Sequence, residues 1–249
     1  MRRIAVVNQK GGVGKTTTTA HLAHALALSG KKVLMVDMDP QSHLASLFGH
    51  YDMHRGLDAV LMHGEPLDEH IHEVRPDLYL LPAGKQLASV EHEASSQKRG
   101  GMLRQWLEKR DDWDVVLMDS PPSSGLLVIM AMYAADEIVI PVTADFMGME
   151  GLSHLMATLK NFETSLKHTP KRWLALTRFH PRRTIAKEAR HKLIQYFPNQ
   201  LLHTPVREFA VLSACAGFGK SVFEYQPRSK AADDYRDLAN DLMQGRAEA

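Results

Sequence analysis

The chain has 249 residues, of which 44% are hydrophobic and 24% charged, with a formal net charge of +1; this is ordinary globular composition and excludes a disordered, fibrous or low-complexity chain. A single cysteine, Cys215, excludes an internal disulfide, a cysteine-rich zinc site and a self-contained iron–sulfur cluster, and it points to a reducing cytoplasm. The charge is uneven: Lys167 to Lys192 holds nine Lys/Arg against Glu188 alone, a local +8 on a chain that elsewhere sums to −7, which suits a polyanion-facing surface as well as a solvated helix face.

The basic start is followed by only four apolar residues, too few for a signal peptide. These residues, Ile4–Val7, read as a strand, and a helix follows over Thr16–Leu28. Val33–Val36, Leu78–Leu81 and Val115–Met118 read as strands, the last ending at Asp119. A helix is expected over Ser124–Ala135, a strand over Ile138–Val142 and a long helix over Gly151–Ser165. The stretch Leu126–Ala135 is the longest apolar one and about half of what a bilayer span needs. Trp173–Thr177 (strand), Thr184–Tyr196 (helix), Leu201–His203 (short strand) and Lys230–Met243 (helix) complete the pattern. Near-continuous apolar strands alternating with helices describe a doubly wound α/β fold, with a mostly parallel sheet flanked by helices. No linker rich in Pro, Gly or Ser interrupts it, so residues 1–249 are expected to form one domain. Because the first strand starts so early, no N-terminal helix-turn-helix domain is expected. His70 and His72, on an expected extended segment, would share a face, but nothing else in the sequence converges on them as metal ligands.

The strongest signal is Lys10-Gly11-Gly12-Val13-Gly14-Lys15-Thr16-Thr17, which follows an expected strand and opens an expected helix. Glycines let successive backbone N–H groups approach phosphate oxygens, and the helix N-terminus adds partial positive charge. In such a loop Lys15 reaches the β- and γ-phosphates, and the Thr16 hydroxyl ligates Mg²⁺. Gly11 to Gly14 and Thr17 line the nucleotide.

Gln9 stands where the usual phosphate loop has its first glycine, and Lys10 follows it. The run Gln9 to Thr17, with Val36-Asp37-Met38-Asp39-Pro40-Gln41 and Val115-Val116-Leu117-Met118-Asp119-Ser120-Pro121-Pro122-Ser123, closely resembles the ParA/Soj branch of the ParA/MinD family of deviant Walker A P-loop ATPases. Phe218-Gly219-Lys220 looks like a further landmark, and the resemblance extends along nearly the whole chain. It implies an ATP hydrolase with a slow basal rate, using ATP and Mg²⁺. It implies that Lys10 reaches across a homodimer to the partner's nucleotide, that Asp39 positions the attacking water, and that Asp119 holds Mg²⁺ with Asp37 in support. Base contacts fall at Thr177 and Arg178, where many relatives carry Asn-Arg, with Pro205 to Arg207 on the other side of the pocket.

The resemblance further implies a positioning or segregating ATPase for a plasmid, chromosome or protein particle. Its ATP dimer would bind DNA without sequence preference, giving a cytoplasmic, nucleoid-associated protein, and a ParB-like or other adaptor would stimulate hydrolysis. The basic zone then supplies the DNA face: Lys171, Arg172, Arg182, Arg183, Lys187 and Arg190. Two alternatives stand beside this reading. A MinD-like membrane-associated ATPase needs a basic amphipathic C-terminal helix, but the tail carries Asp233, Asp234, Asp237 and Asp241, so no membrane contact is expected. A metabolic P-loop enzyme, such as a dethiobiotin-synthetase-like ligase, would not account for Lys10 or the basic zone.

Overall fold

The computed structural model describes residues 1–90 and 100–249. Its strands are β1 (Arg2–Val6), β2 (Val33–Asp37), β3 (His72–Arg75), β4 (Leu78–Leu81), β5 (Val115–Asp119), β6 (Glu137–Thr143) and β7 (Lys171–Thr177). They form one sheet in the order β3-β4-β2-β5-β1-β6-β7. All pairs are parallel except β3 with β4. The helices are α1 (Lys15–Leu28), α2 (His43–Leu47), α3 (Leu57–His63), α4 (Leu87–Val90), α5 (Met102–Glu108), α6 (Leu126–Ala134), α7 (Phe146–Leu166), α8 (Thr184–Tyr196), α9 (Ala210–Gly217), α10 (Val222–Tyr225) and α11 (Lys230–Gln244).

Strand residues alternate between two cores. Ile4, Val6, Val33, Met35, Val115 and Leu117 face the layer of α1, α2, α9, α10 and α11. Ala5, Leu34, Val36, Val116 and Met118 face the layer of α3 to α8. A strand covered on both sides has no solvent face, so the runs are apolar at every position, and burial of both faces holds the sheet together. The register sets Val6 beside Asp119 and Asp119 beside Asp37 at the carboxyl edge. The chain leaving β1 therefore emerges beside two acids, in the position where open α/β sheets bind ligands.

Several local expectations change. α7 starts five residues before Gly151, because the Asp145 carboxylate caps it by accepting from the Gly148 N–H at 2.7 Å. Around Leu201–His203 only the bridges Leu174 to Leu201 and Leu202 to Ala247 form. His70 closes a 3-10 turn, buried and bonded to Glu65 at 2.9 Å, while His72 opens β3 in the open, so the two do not share a face. The apolar side of α11, with Tyr235, Leu238 and Leu242, is buried in the core that holds α1. Among the described residues no helix is long and apolar enough to cross a membrane.

Candidate active site

The segment from Asn8 to Gly14 joins β1 to α1 and is built as an open cradle. Gly12 and Gly14 have φ of 74° and 90°, a left-handed conformation that favours glycine. A Cβ built on Gly11 or Gly12 would meet nothing within 4 Å, so the backbone faces free space. Asn8 stabilises the loop from below: its Nδ2 donates to the Pro141 carbonyl at 2.8 Å and its Oδ1 accepts from the Lys10 N–H at 3.0 Å. No side chain caps α1 and no acid lies in its first turn, which leaves its N–H groups and partial positive charge available to an anion.

The two lysines of the loop have different surroundings. Lys15 is buried, its Nζ donating to the Lys10 carbonyl at 3.2 Å. Burial lowers its pKa against the pull of Asp119 and Asp39. Lys10 lies at the rim, with its Nζ 3.6 Å from Asp145 and its stem along Gly151 of α7. Sequence reasoning did not identify this acidic neighbour, although an Asp before a helix is a recognisable capping signal.

Beneath the cradle the acids lie together. Asp119 is fully buried; its Oδ1 accepts from the Thr19 hydroxyl at 3.1 Å, and its Oδ2 has no partner among the described residues. Burial pushes its pKa up to about 7, against the lowering effect of the Thr16 and Thr19 hydroxyls and of Lys15. Burial, then Asp119, also pushes Asp37 well above the usual carboxylate range. Both Asp37 oxygens are engaged, accepting from the N–H of Asp39 at 3.1 Å and of Leu44 at 3.3 Å. Asp37 thus fixes the turn that presents Asp39, whose own Oδ1 accepts from the Gln41 N–H at 3.0 Å. An unpartnered buried carboxylate oxygen beside the Thr16 hydroxyl is an oxygen donor set suited to a hard divalent cation.

Beside the loop lies a pocket of about 390 Å³, lined by Val13, Gly14, Thr17, Thr177, Arg178 and the segment Val206–Ala210, with Tyr235 of α11. Arg178 takes a left-handed φ of 50° there. Thr177 is buried and its hydroxyl donates to the Val13 carbonyl at 2.9 Å, so it supports the phosphate loop from beneath. Of the expected span Pro205 to Arg207, Val206 and Arg207 line the pocket and Pro205 does not, while Phe209, beyond that span, does. Asp234 was also missed, and it holds Arg207 through an ion pair.

The basic zone divides. Arg172 pairs with Glu163, Arg190 pairs with Glu248, and the Lys171 ammonium lies 4.0 Å over the Trp173 ring. Arg178, Arg182, Arg183 and Lys187 are exposed and make no ion pair among the described residues. Arg183 is the cap of α8, so three of the four cluster at one helix start.

The AAA-domain family model matches residues 1–171. The chromosome-partitioning ATPase Soj of Thermus thermophilus is 36% identical over 98% of this chain and 96% of its own length. A cobyrinic acid a,c-diamide synthase from Mycobacterium smegmatis, solved with ADP and magnesium, superposes with a TM-score of 0.83 at 27% identity, covering 98% of this chain and 94% of that one. A Cyanothece McdA–ATP complex superposes with a TM-score of 0.85 at 21% identity, covering 100% and 98%. This last likeness speaks to the fold alone. With a family match over more than half its length and the Soj relative aligned almost end to end, the chain belongs to the ParA/MinD family of P-loop ATPases, in its Soj-like branch.

Proposed function

We propose that this protein is a ParA-type positioning ATPase that binds ATP with Mg²⁺, pairs with a second copy around the nucleotide, holds DNA without sequence preference and releases it after hydrolysis stimulated by an adaptor protein. The observation that carries this reading is the division of labour between the loop lysines. Lys15 already stands among the buried acids of its own site, while Lys10 sits at the rim with a half-exposed side chain. A second cation at the mouth of a phosphate cradle serves a second molecule's phosphates, and burying that charge in an interface requires such a partner.

Within one protomer the roles follow from position. The N–H groups of Gly11 to Thr16 cradle the phosphates, and Lys15 neutralises them. Thr16 and Asp119 would hold Mg²⁺, which would supply neutralisation of phosphate charge. Asp39, steadied by Asp37, orients the attacking water. Arg178 and the Val206–Phe209 segment enclose the base. The synthase among the structural neighbours is a metabolic enzyme by name; the free basic cluster of this chain favours the partitioning reading shared with Soj. An adaptor of the ParB kind, and location on the nucleoid in the ATP state, belong to the same proposal.

The test is sedimentation of the Asp39→Ala protein, which is expected to keep phosphate binding and lose water positioning. ATP with Mg²⁺ should give a dimer, ADP a monomer, and Lys10→Ala should bind ATP yet stay monomeric. A monomer of Asp39→Ala at saturating ATP would overturn the proposal.

A further inference from the structure

A single buried carboxylate holds one wall of the base pocket. Asp234, just past the first turn of α11, is 5% exposed. Its Oδ2 accepts from the backbone N–H of Arg207 at 3.0 Å and from Nε at 3.0 Å, and its Oδ1 accepts from Nη2. The guanidinium so held lies over the Phe209 ring, 5.4 Å from its centroid. Arg207, Phe209 and Tyr235, the neighbour of Asp234, all line the pocket. Of the guanidinium nitrogens only Nη1 has no partner among the described residues.

An arginine free in a base pocket presents two parallel donors, and that fork matches the O6 and N7 acceptors of guanine; it is the commonest specific contact to that base. Adenine shows N7 beside an amino group at the same edge, so a two-donor fork meets one acceptor and one donor there. We infer that Asp234 is a specificity-determining residue of the base pocket: by engaging Nε and Nη2 of Arg207 it occupies the fork that would otherwise read guanine, leaving a wall with one free donor that suits adenine. This inference rests on the nucleotide-site reading above.

A purely structural staple between α11 and the Val206–Phe209 segment would weaken all nucleotides alike when broken, whereas a specificity role changes their ratio. The experiment is titration calorimetry of ATP and GTP, each with Mg²⁺, on the full chain. The wild type should prefer ATP. Asp234→Ala should narrow the ATP-over-GTP preference about tenfold, the worth of one bidentate contact. Asp234→Asn keeps the volume and one acceptor, and should narrow it less; this variant carries the test if Asp234→Ala does not fold. Adding Arg207→Lys to either should restore the preference, because an ammonium has no fork. An unchanged ratio, or an equal loss for both nucleotides, would overturn the inference. A wild type that binds GTP as tightly as ATP would overturn it and leave the nucleotide site standing, while one that binds neither would remove the site itself.

Discussion

Asp119 shows how one residue can trade stability for function. Its carboxylate is buried with an unpartnered oxygen beside Asp37, and its pKa is raised to about 7. A raised acid is stabilising only while protonated, so its contribution is complete below the usual carboxylate range and is lost as pH rises through about 7. Asp119→Asn should therefore stabilise the nucleotide-free protein at pH 7.5 by roughly 1–2 kcal/mol, a few degrees in Tm for a chain of this length, while ATP affinity loses its Mg²⁺ dependence; differential scanning fluorimetry with and without ATP and Mg²⁺ checks both. His21 works in the opposite direction. Its Nδ1 lies 2.8 Å from the Thr17 carbonyl, its Nε2 accepts from the Val222 N–H at 3.1 Å, and its ring stacks on Tyr235. Burial lowers its pKa to about 4, so its contribution is complete above about 6.5 and is lost as pH falls toward 4. Urea midpoints should decline between those values by an amount worth roughly 2–3 kcal/mol, and His21→Gln should flatten that decline. The position of His21 in the first helix was legible in the sequence; its partner Val222 lies two hundred residues away, and only tertiary packing reveals it.

Among elements, the legible ones were those with a long period or a special turn. β1, the glycine loop and α1 carry a run of residues that few other structures tolerate, and β2, β5, β6 and β7 each hold a near-continuous apolar run, with polar residues only at the strand ends, because both faces are covered there. The elements that went unread, from α2 to α5 with α9 and α10, have four to eight residues, too few to establish a helical period. The antiparallel edge strand β3 is half exposed and reads His-Glu-Val-Arg, with no apolar run to mark it. α7 starts at Phe146 rather than at Gly151 and carries Gly148 in its first turn. The structure explains that glycine: a Cβ there would stand 2.2 Å from the Thr143 carbonyl oxygen, so the head of α7 can close on the end of β6 only without a side chain. Gly148→Ala should thus push the α7 head away from the sheet. We expect a loss of roughly 2 kcal/mol in urea unfolding and a larger fractional loss of ATP-dependent dimerisation, since Lys10 packs along Gly151 of the same helix. Equal stability in Gly148→Ala would contradict this account of the helix start.

At the scale of the whole molecule, the sequence located the basic zone and the structure reduced it. Charge counting gave +8 between Lys167 and Lys192, yet Arg172 and Arg190 are engaged by Glu163 and Glu248, and an ion-paired arginine has little left for a phosphate. Outside the base pocket, the exposed cations of the zone that make no ion pair among the described residues are Lys167, Lys171, Arg182, Arg183, Lys187 and Lys192, with Arg182, Arg183 and Lys187 at the start of α8. In the proposed dimer this group would appear twice, and linkage of two weak faces on one polyanion would multiply affinity, so dissociation into monomers would release DNA without any change in the face itself. Six to eight neutralised phosphates would make affinity fall by roughly a thousandfold or more between 50 and 200 mM salt. The measurement is a gel shift of random duplex DNA by the Asp39→Ala protein with ATP across that salt range. Charge reversal at Arg182 and Arg183 should shallow the salt slope and weaken binding to every sequence alike, leaving ATP binding and sedimentation as a dimer unchanged. Arg172→Ala and Arg190→Ala should instead lower thermal stability and leave the slope alone, because they break ion pairs and free no phosphate contact. A slope that falls with Arg172 or Arg190 and ignores Arg182 and Arg183 would place the DNA on the other part of the zone, and a protein that shifts no DNA at low salt would exclude DNA as the matrix.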